Sequence, residues 1–333
     1  MKALVTGASG FIGSTLVQEL NTLGFDVRAL MRMESSHEHL EGLKYERVPG
    51  ELGDFDSLKR ALDGVDYVFH LAGRVSARTR AEFFRANAEG TRNLAQATAE
   101  ARPGLARFVY VSSIAAAGPA PTQRPRTEAD PELPVSAYGE SKLEAERELL
   151  RYKSVYPISV IRPPVVYGPR DRGVFLIIQA IARNLMLVPI GKGEDRQKHY
   201  STVHVRDLCR GIAQAALASR EKVPSGEVFF ISGDETATYE AILTTIAELL
   251  NREPLRIPVP GALLRAAAAG LSAASLITNK TFPFNLDKLN EILPDYWICS
   301  NGKAKDILGF APEFDLRTGM ADAIEWYKTK GWL

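Results

Sequence analysis

Tyr138 and Lys142 stand four residues apart in Tyr138-Gly139-Glu140-Ser141-Lys142. The stretch from Tyr138 to Lys153 is dense in Glu, Lys, Arg and Leu and reads as a helix. Four residues is about one helical turn, so the two side chains share a face. A free tyrosine titrates near pH ~10. A neighbouring ammonium favours the phenolate and lowers that value, which makes the pair a proton donor and acceptor usable near neutrality. Ser113 follows an apolar run, Phe108 to Val111, that reads as a buried strand. Open α/β sheets bind ligands beyond the carboxyl ends of their strands. A serine there can hold a carbonyl or alcohol oxygen against a tyrosine.

Those residues need a scaffold, and its start is legible at the N-terminus. Ala3 to Val5 is an apolar strand, Gly7, Gly10 and Gly13 form a Gly-x-x-Gly-x-x-Gly turn, and Phe11 to Leu20 has helical apolar spacing. Gly7 supplies the turn, Gly10 lets the backbone approach a pyrophosphate, and Gly13 lets helix and strand pack closely. The helix start then offers free N–H groups and a positive dipole end to phosphates. This is the opening of a dinucleotide site. The second strand, Asp26 to Met31, ends at Arg32 with no acid at its tip and with Ser35 and Ser36 following. An acid at that position selects NAD, whereas arginine favours the 2′-phosphate of NADP. NADP(H) is therefore the favoured cofactor and NAD(H) the alternative.

Further strands are expected at Tyr45–Pro49, Val65–Leu71 and Pro157–Ile161. Helices are expected at Asp54–Leu62, capped by Asp54, and at Phe83–Ala101, with residues 114–136 as a loop. This alternation predicts an α/β fold, a Rossmann-type doubly wound parallel sheet covered on both faces. Residues 1–165 would form the NADP(H)-binding domain and carry the catalytic Ser113, Tyr138 and Lys142. Residues 166–333, with fewer strands, would form a smaller substrate-binding region, with segments at about 200–235 returning to the main sheet. Val228–Ile231 is the strand expected to rejoin it.

Composition narrows the class. The 333 residues are 45% hydrophobic and 24% charged, with net charge +1, so nothing points to nucleic acid as a partner. Cys209 and Cys299 make neither metal-ligand spacing nor a disulfide framework, the five histidines show no paired ligand spacing, and a reduced cytoplasmic setting is expected. With strand one starting at once, no signal peptide is expected. Gly261 to Thr278 is almost wholly apolar apart from Arg265. Rich in Ala, Gly and Ser, it reads first as a buried or lid helix and second as a peripheral membrane contact.

Several motifs together resemble the extended short-chain dehydrogenase/reductases, the superfamily of NAD-dependent epimerases and dehydratases. These are Thr6-Gly7-Ala8-Ser9-Gly10-Phe11-Ile12-Gly13, His70-Leu71-Ala72-Gly73, Asn87-Ala88-Glu89-Gly90-Thr91, Val111-Ser112-Ser113, the Tyr138–Lys142 segment and Arg162-Pro163-Pro164-Val165-Val166-Tyr167-Gly168-Pro169. The resemblance implies that Tyr138 is the acid/base, that Lys142 binds the nicotinamide ribose and tunes the tyrosine, and that Ser113 orients the substrate oxygen. It places the cofactor on Gly7, Ser9, Gly10, Phe11, Ile12, Arg32, Glu51, Leu52, Leu71, Ala72, Gly73, Tyr138, Lys142 and Pro163. Asn87 and His204-Val205-Arg206-Asp207 would be mainly structural. Glu51-Leu52 replaces the family's Asp-Leu pair near the adenine, and Arg74 is an unusual neighbour for a nicotinamide.

Within the superfamily three features lean to the dihydroflavonol reductase and 3β-hydroxysteroid dehydrogenase branch. Val27 to Arg32 is similar to its NADP-binding second strand, and the segment from Gly261 is far more apolar than a sugar-diphosphate site requires. Tyr296-Trp297-Ile298-Cys299 to Lys305, Leu308-Gly309-Phe310 and Trp326-Tyr327 resemble its C-terminal end. That branch implies hydride transfer to or from a ketone or secondary alcohol of a small apolar substrate: sterol-like, polycyclic or β-keto acyl. The alternatives are a nucleotide-sugar epimerase or dehydratase with tightly held NAD, and a non-catalytic redox sensor. Lys192, Arg196, Lys198 and His199 are the cations a sugar diphosphate would use. Relatives commonly dimerise through helices matching 83–101 and 138–153, so a homodimer is expected.

Overall fold

Strands that read as continuous apolar runs become the buried centre of a sheet, because parallel strands are covered on both faces. In the computed structural model, which describes residues 1–192, 196–278 and 284–333, this holds for β1 (Lys2–Thr6) and for most other strands of the main sheet. After α1 (Phe11–Thr22) come β2 (Asp26–Met31), β3 (Glu46–Pro49), α2 (Phe55–Ala61) and β4 (Tyr67–His70). Next are α3 (Arg80–Phe84), a π-helical turn at Arg85–Glu89, α4 (Gly90–Ala101), β5 (Arg107–Val111), α5 (Ile114–Ala117) and α6 (Ala137–Leu150). They are followed by β6 (Ile158–Arg162), β7 (Val165–Tyr167), α7 (Gly173–Ala182), β8 (Leu185–Pro189), β9 (His199–His204), α8 (Val205–Leu217) and β10 (Glu227–Phe230). The chain closes with β11 (Thr236–Thr238), α9 (Tyr239–Leu249), β12 (Leu255–Val259), α10 (Gly261–Thr278), α11 (Leu286–Ile292), β13 (Tyr296–Trp297) and α12 (Leu316–Thr329).

The main sheet has the order β10-β6-β5-β4-β1-β2-β3, with every pair parallel. The order reverses between β1 and β4, which opens a crevice beyond Thr6 and His70. One face packs Leu16 and Val17 of α1 and Leu208 and Ile212 of α8. The other packs Leu58 of α2, Leu94 of α4 and Leu149 of α6. The strand expected at Val228–Ile231 is β10, and it joins the sheet beside β6.

Several expectations change in detail. The helix expected from Phe83 starts at Arg80, where the Thr79 hydroxyl accepts from the Glu82 N–H, and it widens into the π turn that carries Asn87. The stretch expected to be loop, 114–136, contains α5, four residues too short to show a period. The C-terminal half holds more strands than expected: β9 pairs with β7, β11 and β13, and β8 pairs with β12. They are two to six residues long, so alternation hardly registers. Residues 261–278 are a helix but not a buried one: Ala268 is its one buried described side chain, and it packs on α11. Among the described residues no helix is long and apolar enough to cross a membrane. Within α6 only Arg147 is exposed, so the expected two-helix contact between subunits has little apolar surface on that helix.

Candidate functional site

The glycine turn after β1 is shaped by close backbone approach. Gly7 has φ +73°, and a Cβ on it would lie 2.8 Å from the Ala72 nitrogen. A Cβ on Gly13 would lie 2.0 Å from the Gly7 carbonyl oxygen, so α1 can reach this depth only without a side chain there. No side chain caps the start of α1, which leaves its first N–H groups for an anion. A cleft of about 800 Å³ runs over this turn, lined by Gly7, Ser9, Gly10, Arg32, Glu51, Leu52, Leu71, Ala72 and Gly73. The glycine cradle and this cleft fit a dinucleotide. Nine of the expected cofactor residues thus share one surface. Phe11 and Ile12 instead pack against the core under the first turn of α1. Pro163 is buried and its carbonyl accepts from the Ile114 N–H at 2.8 Å.

A buried relay braces the floor. Thr91 Oγ1 donates to the Asn87 carbonyl at 2.6 Å, so it accepts from His70 Nε2 at 2.9 Å. His70 Nδ1 then accepts from Thr6 Oγ1 at 2.7 Å, and Thr6 Oγ1 accepts from the Ala72 N–H at 3.1 Å. Every donor has an acceptor only if His70 is neutral, and burial, with Lys142 adding, pushes its pKa down to about 3. Asn87 behaves as a brace: it donates to Ser141 Oγ at 2.9 Å and to the Arg74 carbonyl at 3.0 Å, and it accepts from the Arg74 N–H at 2.8 Å. The Arg74 side chain is exposed and lies 3.7 Å from Glu82.

Ser113 follows β5 and caps α5, accepting from the Ala115 N–H at 3.1 Å. Ser113 and Tyr138 line the same cavity. Tyr138 is the second residue of α6, and Phe83 lies against its ring, centroids 5.9 Å apart. Burial first, then the Glu291 charge, lifts the Tyr138 phenol well above the ordinary range, and the polar Ser113 side chain opposes them. Lys142 does not act on it here as expected from spacing. Its ammonium donates to the Val111 carbonyl at 2.7 Å and sits 4.4 Å from the Tyr110 ring centroid. Burial takes the Lys142 pKa down to about 7, with Glu146 opposing. Glu146 is fixed in turn by Arg162 at 2.6 and 3.0 Å and by the Ser112 hydroxyl, which ties α6 to β5 and β6. Tyr138 and Lys142 share a helix face, but the Lys142 ammonium turns to the Val111 carbonyl.

Beyond Ser113 and Tyr138 lies a second cavity of about 480 Å³. Its walls include Val166, Ile177, Ile242, Ile246, Trp297 and Met320, with Tyr200 and Thr202 from β9 and Lys288 and Glu291 from α11. None of Lys192, Arg196, Lys198 and His199 lines it. Lys198 is buried and bonded to Asp295 at 3.1 Å and to the Leu293 carbonyl at 2.9 Å.

The sequence pattern of the NAD dependent epimerase/dehydratase family matches residues 3–232, spanning the glycine turn, Ser113, Tyr138, Lys142 and β10. The chain belongs to that family. Its relatives include a ceramide reductase of Caulobacter vibrioides, 31% identical over 99% of this chain and 95% of that protein. Another is sterol demethylase protein B of Methylococcus capsulatus, 29% identical over 99% of both chains. Proteins of dihydroflavonol reductase type, ketoreductases and a sugar epimerase are also among them. Among solved structures, MoeE5 in complex with UDP-glucuronic acid and NAD is 26% identical, with TM-score 0.78 over 99% of this chain and 100% of that one. This member of the family is an NAD(P)-dependent enzyme of the oxidoreductase or epimerase kind.

Two parts of this family member's site carried no signal in the sequence. Arg47 holds the Arg32 and Met33 carbonyls at 3.0 and 2.8 Å and so fixes the tip of β2. The apolar walls of the second cavity come from short, separate elements, where no period marks a site.

Proposed function

We propose that this protein is an NADP(H)-dependent reductase that interconverts a ketone and a secondary alcohol on an apolar substrate. The observation that carries this reading is the apolar cavity that begins at Ser113 and Tyr138. A sterol-like, polycyclic or acyl body would bury against Ile177, Ile242, Ile246 and Met320, each buried methylene contributing about 0.8 kcal/mol. The ceramide reductase and the sterol demethylase protein among the relatives agree with that class.

In this reading the glycine turn and the start of α1 hold the pyrophosphate, and Glu51 and Leu52 border the adenine. Arg32, exposed at the rim beside Ser35, meets a 2′-phosphate. Its 3.4 Å contact with Glu34 is solvent-exposed, and such pairs contribute at most about 1 kcal/mol, so it yields readily to a phosphate. When bound, the nicotinamide gives a hydride to the carbonyl carbon or takes one from the alcohol carbon. Ser113 donates a hydrogen bond to the substrate oxygen. Tyr138, kept protonated by burial, gives its phenolic proton to that oxygen as the carbonyl is reduced and recovers it in reverse. Lys142 is to bind the nicotinamide ribose and, in the assembled site, stabilise the phenolate.

Residues 1–165 would be the cofactor part and 166–333 mainly the substrate part. A cytoplasmic homodimer, with peripheral membrane contact through 261–278, belongs to the same proposal; co-sedimentation with lipid vesicles checks the contact, and none at any lipid composition would remove it. A sugar epimerase with retained NAD is the second reading, favoured by the likeness to MoeE5. Tyr138→Phe separates chemistry from binding. It should lower kcat at least about 100-fold, the contribution typical of a positioned acid, with cofactor affinity unchanged; undiminished turnover would remove Tyr138 from the mechanism.

A further inference from the structure

A helix leaves its first four N–H groups without intrahelical partners. In α6 the Gly139 N–H donates to the Ser136 hydroxyl at 3.0 Å, as a local cap should. Those of Ala137 and Tyr138 go elsewhere. Ala137 N–H donates to Asp287 Oδ1 at 2.6 Å and Tyr138 N–H to Asp287 Oδ2 at 3.3 Å, a carboxylate 150 and 149 residues away in sequence. Glu291, one turn further along α11, accepts from Ser136 Oγ at 2.8 Å and is paired with Lys288 at 2.6 Å. A segment of the C-terminal half thus completes the cap of the helix that carries Tyr138, and two acidic groups face its positive dipole end.

The same segment forms part of the apolar cavity, whose lining includes Lys288 and Glu291 along with Tyr138 and Ser113. Asn285, at the start of α11, donates to the Ala77 carbonyl at 3.4 Å, a second tie to the cofactor side.

We propose that Asp287 is a positioning residue for Tyr138: α11 caps α6 across the substrate cavity, so that walling the cavity and fixing the acid/base are one structural event. The proposal rests on the reading of Tyr138 as the acid/base. Tyr138 is the second residue of α6, in the turn most prone to fray. Without Asp287 its N–H and that of Ala137 lose their acceptor, and the first turn loosens. The phenol then leaves its place beside Ser113. Misplacement of about 1 Å in such a group can lower a rate about 100-fold.

The test is Asp287→Ala beside Asp287→Asn in the full-length protein. Asp287→Asn keeps the size and one acceptor oxygen, so it also serves if the alanine variant does not fold. The expected order of kcat is wild type, then Asn, then Ala, with the Ala variant down about 10- to 100-fold. The NADPH dissociation constant should stay within about twofold, because the cofactor cleft contains nothing from α11. Hydrogen exchange supplies a readout free of turnover. The Ala137 and Tyr138 amides should exchange at least ~10-fold faster in Asp287→Ala, while those of Leu143 to Leu149 keep their protection. A kcat within twofold of wild type in a folded Asp287→Ala protein, or unchanged exchange at Ala137 and Tyr138, overturns the proposal. If Tyr138→Phe is fully active the acid/base reading fails; if Tyr138→Phe is inactive and Asp287→Ala is not impaired, only the cap fails.

Discussion

Acid should destabilise this protein in a way that can be traced to His70. The ring is buried and neutral, bonded to Thr6 and Thr91, and its pKa is pushed down to about 3 from 6.5. Between those two values the unfolded chain binds a proton that the folded chain refuses, so stability falls as pH drops through that window. Lowering the pH from 6.5 to 4.5 at about 1.4 kcal/mol per unit removes about 2.7 kcal/mol through this one group. For a chain of this length, an unfolding entropy of about 0.7 kcal/mol/K turns that into about 4 °C in Tm. Carboxylates titrate nearby in pH, so the assay is a comparison: wild type and His70→Gln, melted at pH 7 and pH 4.5. Gln keeps an acceptor and a donor but has no proton to gain. The variant is expected to be less stable at pH 7 and to lose about 4 °C less than wild type on acidification. Equal losses in the two proteins, or a larger loss in the variant, would refute the neutral relay.

Two further outcomes follow from the cofactor cleft. Gly13→Ala places a Cβ against main chain that cannot rotate away, so we expect about 3 kcal/mol of destabilisation and weakened dinucleotide binding. Gly104→Ala, where a Cβ meets open space, is the control; equal melting of the two variants would contradict the packing account. Arg32→Ala removes a charge-assisted contact contributing about 1.5–3 kcal/mol. It should raise the Kd for NADPH roughly 10- to 100-fold and that for NADH less than about twofold; equal losses by titration would end the case for NADP(H).

The parts of the fold that were legible in sequence are those where one physical rule dominates. A strand buried on both faces is a run of apolar residues, and a glycine forced by main-chain approach stands at a fixed offset. β1, Gly7, Gly13 and β5 are of this kind. The parallel, doubly wound sheet followed from them, and with it the expectation that Ser113 stands beyond a strand end. What stayed hidden was set by tertiary context. The spacing of Tyr138 and Lys142 put them on one face, but it does not reveal that the ammonium turns to the Val111 carbonyl or that burial moves the phenol upward. Lys198 reads as a surface cation until Asp295, 97 residues away, takes it inside. Asp287 and Glu291 look like ordinary acids of a short helix, since nothing local connects them with Ala137 and Ser136.

Hydride transfer itself is the most direct test of the reductase reading. The protein is incubated with NADPH deuterated on the transferred side of C4 and a panel of apolar ketones, and the products are analysed by mass spectrometry. The expected product is an alcohol carrying one deuterium at the carbinol carbon, with one NADP formed per alcohol, and both are lost in Tyr138→Phe. Purified protein that retains NAD through denaturation, consumes no NADPH with any ketone and interconverts sugar epimers with no net redox change would contradict it.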